Sequence, residues 1–282
     1  MNEIYAIDPS APQDLKDIKA MLDQFGLANG RFIANLPDEW IELLKQNVQH
    51  FKGLDQSRFF RLLELHKDAL LSIDINFKRA KSWNENAIAA KDARIGISKV
   101  LGADPNSFGF ETLQKFLWVD ELVGDSRGAH IPMTIESYTR AISPLLELST
   151  EVHLVDPFFN LRRLNGELHR GKEALLRGFL MEAEKSKRCE VFKIHFKLQG
   201  EESINFQKSK IEADLTYICE QVNLKKVAIQ YTLNEEIGHG RYIFSIKGGL
   251  QFDHGFEPLK DKKNHVHWLS KSELEPIQMR YL

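Results

Sequence analysis

The chain has 282 residues, 43% of them hydrophobic and 28% charged, which is ordinary globular composition and long enough for two domains that bury their own cores without disulfides. With 38 Lys and Arg against 40 Asp and Glu, the net charge of -2 excludes a global pull toward nucleic acid or anionic lipid, so any such binding must use a local basic patch. No apolar run approaches the roughly 18 residues of a membrane span, and MNEIYAIDPS lacks the basic and apolar regions of a signal peptide, so a cytoplasmic protein without membrane association is expected.

The first half reads mainly as helices. EIYAID is a possible short strand. Pro12-Gln13-Asp14 opens a segment with Leu15, Ile18, Met21, Leu22 and Phe25 at helical spacing, closed by Gly26. After the interlude GRFIANLP, a second helix is expected near Asp38–Phe51, striped by Trp40, Leu43, Leu44 and Val48. A third runs over about Gln56–Leu71, followed by LSIDINF as a possible strand. Further helices are expected around Trp83–Leu101, Glu111–Trp118 and Ile135–Leu148. Trp40, Trp83 and Trp118 fall in these amphipathic segments and read as packing residues rather than base-stacking platforms.

The period then changes, which places a domain boundary near residues 145–151. VHLVD is a short apolar strand. Lys172–Lys185 puts Leu175, Leu176, Phe179, Leu180 and Ala183 on one helical face, and VFKIHFKL alternates strictly. A helix carrying Ile211, Leu215, Ile218 and Val222 precedes the alternating run VAIQYTL. RYIFSI and GLQF follow, joined by Lys247-Gly248-Gly249. The order β-α-β-α-β-β implies an α/β domain with a mostly parallel sheet flanked by helices, over residues 149–260, behind a mainly α-helical region of residues 1–148. Residues 261–282 read as a charged tail with one possible helix near Ser270–Met279. Lys193, His195 and Lys197 form the polar face of the alternating strand; that face must stay wet or meet a partner.

Three segments in fixed order carry a resemblance: VHLVDPFFN, the two strand and helix pairs, and GHGRYIFSIKGGLQFDHGFE. Together they resemble the phospholipase-D-like C-terminal domain of MIT-domain-containing proteins, and related single-copy domains of bacterial accessory and defence proteins, over somewhat more than a third of the chain. The family's DPY-like turn is matched by Asp156-Pro157-Phe158. Its histidine motif, paired glycines and final turn are matched by His239, Arg241, Gly248, Gly249 and Gly255-Phe256-Glu257.

Active members of the wider superfamily resemble this stretch more distantly, through the pattern H-x-K-x4-D. There the histidine attacks phosphorus, the lysine holds phosphate oxygens and the acid organises the site. Here the pattern is His239-Gly240-Arg241 with Ile246 where the acid would fall. Arginine can clamp phosphate in place of lysine, but isoleucine cannot replace aspartate. The resemblance therefore implies a binding subunit with a degenerate motif, in a bacterial multi-subunit system such as an anti-phage complex, holding a protein partner, a nucleic acid or both. Rival readings are a homodimeric phosphodiesterase or nuclease using His239, since a dimer would supply the second histidine, and a phosphoinositide-binding membrane module.

The residues expected at an anion-binding rim are His239, Arg241, Lys247, Gly248 and Gly249, together with Arg162, Arg163 and Arg170 from the basic segment after Asp156 and Pro157, which read as a structural turn. His239 and Arg241 also read as plain polar residues at a strand start, and the basic segment as a solvated surface. His265 and His267 form HxH without other ligands at zinc-like spacing, so no metal is assigned. Cys189 and Cys219 lack CxxC or CxH spacing and read as core residues. No signature of nucleotide hydrolysis or dinucleotide redox chemistry appears, and no cofactor is expected.

Overall fold

The computed structural model describes residues 2–72, 77–91, 97–103, 110–118, 128–163, 166–198 and 203–282. They fall into two compact units, Asn2–Arg127 and Gly128–Leu282. Both are α/β, and among the described residues no helix is long and apolar enough to cross a membrane.

The first unit runs β1 (Glu3–Ile7), α1 (Leu15–Asp23), β2 (Arg31–Ala34), α2 (Trp40–Asn47), α3 (Leu54–Leu65), β3 (Leu70–Leu71), α4 (Trp83–Lys91), β4 (Lys99–Gly102), β5 (Glu111–Thr112) and α5 (Leu113–Trp118). Its strands pair in parallel in the order β3-β2-β1-β4-β5. Helices lie at each expected place and outweigh the strands, but they flank a five-stranded sheet that the helical reading did not contain. The reason lies in β2: Phe32, Ile33 and Ala34 are all fully buried. A strand covered on both faces shows no alternation, and four residues are too few to reveal any period. The segment expected as one helix over Trp83–Leu101 ends as α4 at Lys91 and resumes as a strand from Lys99, and most of the expected strand in LSIDINF lies outside the described residues. Trp40 is fully buried and donates from Nε1 to the Ile7 carbonyl at 2.6 Å, tying α2 to the end of β1. Trp118 is half exposed and donates to Asp17 Oδ1 at 3.1 Å.

The second unit runs β6 (Gly128–Pro132), α6 (Ile135–Leu148), β7 (Glu151–Val155), α7 (Arg170–Lys185), β8 (Val191–Lys197), α8 (Ile204–Val222), β9 (Ala228–Asn234), β10 (Tyr242–Phe244), β11 (Gly249–Phe252), β12 (Lys263–Trp268) and α9 (Lys271–Tyr281). The sheet order is β6-β12-β11-β10-β7-β8-β9. Only β7, β8 and β9 are mutually parallel; β10, β11, β12 and β6 pair antiparallel. The sheet is therefore mixed rather than mostly parallel, because the Lys247-Gly248-Gly249 turn makes a hairpin and two further strands extend it. Those strands also move the boundaries. β6 and α6 precede residue 149 yet belong to this unit, and the expected charged tail holds β12 at Lys263–Trp268, with Val266 and Trp268 buried.

The two faces of this sheet are covered differently. Phe192, Ile194, Leu250, Phe252 and Val266 lie against helices; Phe179 of α7 stands 6.3 Å from Phe192, and Tyr138 of α6 stands 5.9 Å from Phe252. The opposite face, which carries His153, Val155, His195 and Phe244, receives α9. Leu274, Ile277 and Tyr281 pack on Val155, Phe244 and Leu269. Gln278 Nε2 donates to the Ser245 carbonyl at 2.8 Å, and a capping box at Ser270 and Glu273 starts the helix.

Candidate ligand-binding rim of the C-terminal unit

The rim forms where β7 ends. Asp156 precedes Pro157, which holds it extended, and its carboxylate points back into the protein, 1% exposed. Oδ1 accepts from the Phe158 amide at 2.8 Å and Oδ2 from the Phe256 amide at 3.2 Å, so one side chain fixes two loops. The register Tyr242↔Val155 brings Arg241 beside it, with Nε 3.7 Å from Asp156 Oδ1. Arg241 Nη1 also donates to the Asp253 carbonyl at 2.9 Å, and the guanidinium lies 5.3 Å from the centre of the Phe158 ring. Phe158 itself is 55% exposed.

Lys172, in the first turn of α7, reaches the same place and donates to the Phe158 carbonyl at 2.6 Å. Burial lowers the pKa of its amine, and the charges of Asp156 and Glu257 oppose that shift. His169 Nε2 stands 3.3 Å from Glu257 Oε1. The rim is thus a mesh of Asp156, Arg241, Lys172, His169 and Glu257 around an exposed aromatic ring.

Of the residues expected at an anion site, Arg241 stands at this rim; His239, two residues before it in the chain, is exposed to solvent. Lys247, Gly248 and Gly249 do not. They close the hairpin at the far end of β10, where the Lys247 ammonium donates to the Leu148 carbonyl. Gly249 is there for packing: a Cβ would stand 2.8 Å from Phe244 Cβ and 3.0 Å from Leu274 Cδ1. Ile246 sits in the same turn, 75% exposed. Arg162 is committed elsewhere, in a bidentate pair with the buried Asp214 at 2.6 and 2.8 Å. Arg163 and Arg170 are exposed, the latter as the first residue of α7. Phe158 and Glu257 complete the site although sequence reasoning gave them no role in it; their only signal was adjacency to Asp156-Pro157 and to Gly255-Phe256. Lys172 belongs to the basic segment after Asp156 that the sequence reading set along this edge.

The alternating strand behaves differently from expectation. Its polar face meets α9 of the same chain, and His195 is 2% exposed, Lys193 half-buried and Lys197 exposed. Beneath Tyr281, Nδ1 of His153 and Nε2 of His195 are 2.9 Å apart, His195 Nδ1 is 2.8 Å from Thr232 Oγ1, and His153 Nε2 is 3.0 Å from Glu151 Oε1. One tautomer pair lets both rings stay neutral: Thr232 donates to His195 and His195 to His153, while His153 Nε2 faces the Glu151 carboxylate without hydrogen bonding to it. Burial pushes His153 down to about 4 and His195 to about 3. A third histidine group, His265 and His267, meets Asp253 on the β11–β12 side of the sheet.

No protein-family model matches the chain, and no curated protein matches it. Among solved structures it is similar to TrmBL2, an archaeal chromatin protein whose structure shows a novel mode of DNA binding, at 12% sequence identity and a TM-score of 0.29. That similarity covers 85% of this chain and 66% of the other, so this chain spans just under two thirds of the other's length. Neither fold nor function is carried over from it.

Proposed function

We propose that this chain is a non-catalytic binding subunit whose C-terminal unit engages nucleic acid at the rim of Phe158 and Arg241. The observation that carries the reading is Phe158, a phenyl ring 55% exposed and held against a guanidinium at a strand-end rim. Exposed aromatic rings beside cationic groups stack bases and attract phosphates. Arg163 and Arg170 add charge on the neighbouring exposed segment. The non-catalytic half of the reading draws on Ile246, an exposed residue in the turn at the other end of β10, which leaves His239 without the acid of the phosphodiesterase pattern. The resemblance to phospholipase-D-like accessory domains extends the proposal to a cytoplasmic subunit of a bacterial defence complex with a protein partner.

Fluorescence anisotropy with a labelled single-stranded oligonucleotide tests it. Phe158→Ala and the exposed pair Arg163→Glu/Arg170→Glu are expected to weaken binding about tenfold or more, with strong salt dependence. Unchanged affinity in both variants overturns the rim. Metal-independent cleavage of a phosphodiester that disappears in His239→Ala overturns the non-catalytic reading in favour of a homodimeric enzyme.

A further inference from the structure

β12 alternates strictly. Asn264, Val266 and Trp268 point into the protein, so His265 and His267 stand together on the opposite face. Its two neighbours are in register with them: His130 of β6 pairs directly with His265, and Phe252 of β11 pairs with Val266. Asp253, one step past Phe252, therefore faces the same way as His265, and its amide donates to the His265 carbonyl at 3.0 Å. Directly opposed residues on one sheet face have Cβ atoms about 4.5–5.5 Å apart, close enough for short side chains to share a ligand.

The side chains use this proximity. One ligand atom from each of Asp253, His265 and His267 lies within 4.8 Å of the others, and His265 Nδ1 is 3.4 Å from Asp253 Oδ2. The His130 ring centre is 4.9 Å from that of His265. Nδ1 of His267 is buried without a hydrogen-bond partner, an unmet need for a ring nitrogen in a polar cluster. Gly128 faces His267 across the β6–β12 pair, and a Cβ there would stand 3.0 Å from His265 Nε2. The missing side chain keeps the space beside that nitrogen open.

We propose that Asp253, His265 and His267 form a binding site for a divalent transition metal of the zinc class, with His130 placed to supply a fourth bond. Two imidazoles and a carboxylate are a borderline donor set, suited to zinc, cobalt or nickel and poorly suited to magnesium or calcium. Four protein ligands make a closed structural site, whereas three leave a position for water. With His130 included, the ion would clamp the edge strand β6 to β12 and β11. The ligands come from separate stretches of chain, which is why HxH alone gave no zinc-like spacing.

The test uses the full chain without a histidine tag, stripped with a chelator and titrated with Co2+ and then Zn2+. The expected result is a single tight site with visible Co2+ absorption that Zn2+ displaces, together with a rise in melting temperature on Zn2+ addition. His265→Ala and Asp253→Asn alter exposed or half-exposed positions, so either should fold. Each is expected to weaken Zn2+ binding about tenfold or more, as loss of a supporting group alone costs that much. Absence of a tight site, or an affinity unchanged in both variants, overturns the proposal. A Co2+ spectrum altered by His130→Ala supports the four-ligand form, and one left unaltered overturns that form. None of these readouts depends on nucleic-acid binding at the rim.

Discussion

Asp156 and Arg241 face each other across the β7–β10 pair, Oδ1 to Nε 3.7 Å, with the carboxylate 1% exposed and the guanidinium 24% exposed. The carboxylate also receives two backbone amides, so it organises both loops of the rim while the arginine offsets its charge. Removing only the arginine leaves a buried anion with two hydrogen bonds and the nearby Lys172, which is costly but less so than full isolation. Arg241→Met is expected to cost about 1–3 kcal/mol in urea denaturation. The double variant Asp156→Asn/Arg241→Met should lose less than the sum of the singles, and strict additivity would show that the two side chains are not coupled.

The buried histidine row makes stability depend on pH. His153 and His195 ionise at about 4 and about 3 in the folded chain, below the ordinary value near 6.5, because burial disfavours their cations. The unfolded chain therefore binds more protons between those values. Stability from this row is complete above about pH 6.5 and is lost as pH falls through the folded values, at up to about 1.4 kcal/mol per pH unit for each ring. Melting temperature followed from pH 7 to pH 5 should fall more steeply in the wild-type chain than in His195→Gln, whose side chain does not titrate. Parallel curves would contradict the assignment.

Much of the second unit was legible because its elements carry one clear period each. VFKIHFKL alternates, and α7 shows five apolar positions on one face, now buried as Leu175, Leu176, Phe179, Leu180 and Ala183. Two kinds of element were not legible. β2 is buried on both faces and four residues long, and β6 reads as Gly-Ala-His-Ile-Pro, an edge strand with little apolar content. Tertiary pairing, not local pattern, defines such strands. The rim was half legible: the Asp-Pro turn and Arg241 marked two of its walls. Lys247, Gly248 and Gly249 were grouped with them because they are near in sequence, yet β10 carries them to its opposite end. Arg162 looked like one more free cation, and only the fold reveals Asp214, 52 residues away, as its buried counter-charge.

The seating of α9 rests on a glycine. Gly249 pairs with Phe244, and the Cβ it lacks would stand within about 3 Å of Phe244, Leu269 and Leu274. Overpacking at such a point forces backbone movement and typically costs 1–3 kcal/mol. Gly249→Ala is expected to destabilise the chain by about that amount, and to raise hydrogen exchange over Lys271–Tyr281 more than over α6 or α7. Uniform exchange across all three helices would mean that the helix is not held through this contact.

Arg162, Arg163 and Arg170 are close in sequence but are expected to separate in experiment. Arg162 holds Asp214, 8% exposed on its side chain, in a bidentate pair, and the bonding raises the guanidinium pKa further. Arg162→Ala strands that carboxylate and is expected to cost about 1–3 kcal/mol of stability, with oligonucleotide affinity at low temperature unchanged. Arg163→Ala and Arg170→Ala alter exposed positions, so melting should be unaffected. Each should instead weaken binding and reduce the slope of log affinity against log salt by about 0.7 for a single strand, the value for one phosphate contact. If Arg162→Ala lowers affinity with the same salt signature, its guanidinium reaches the ligand as well as Asp214, and the charge at the rim has been divided wrongly between structure and binding.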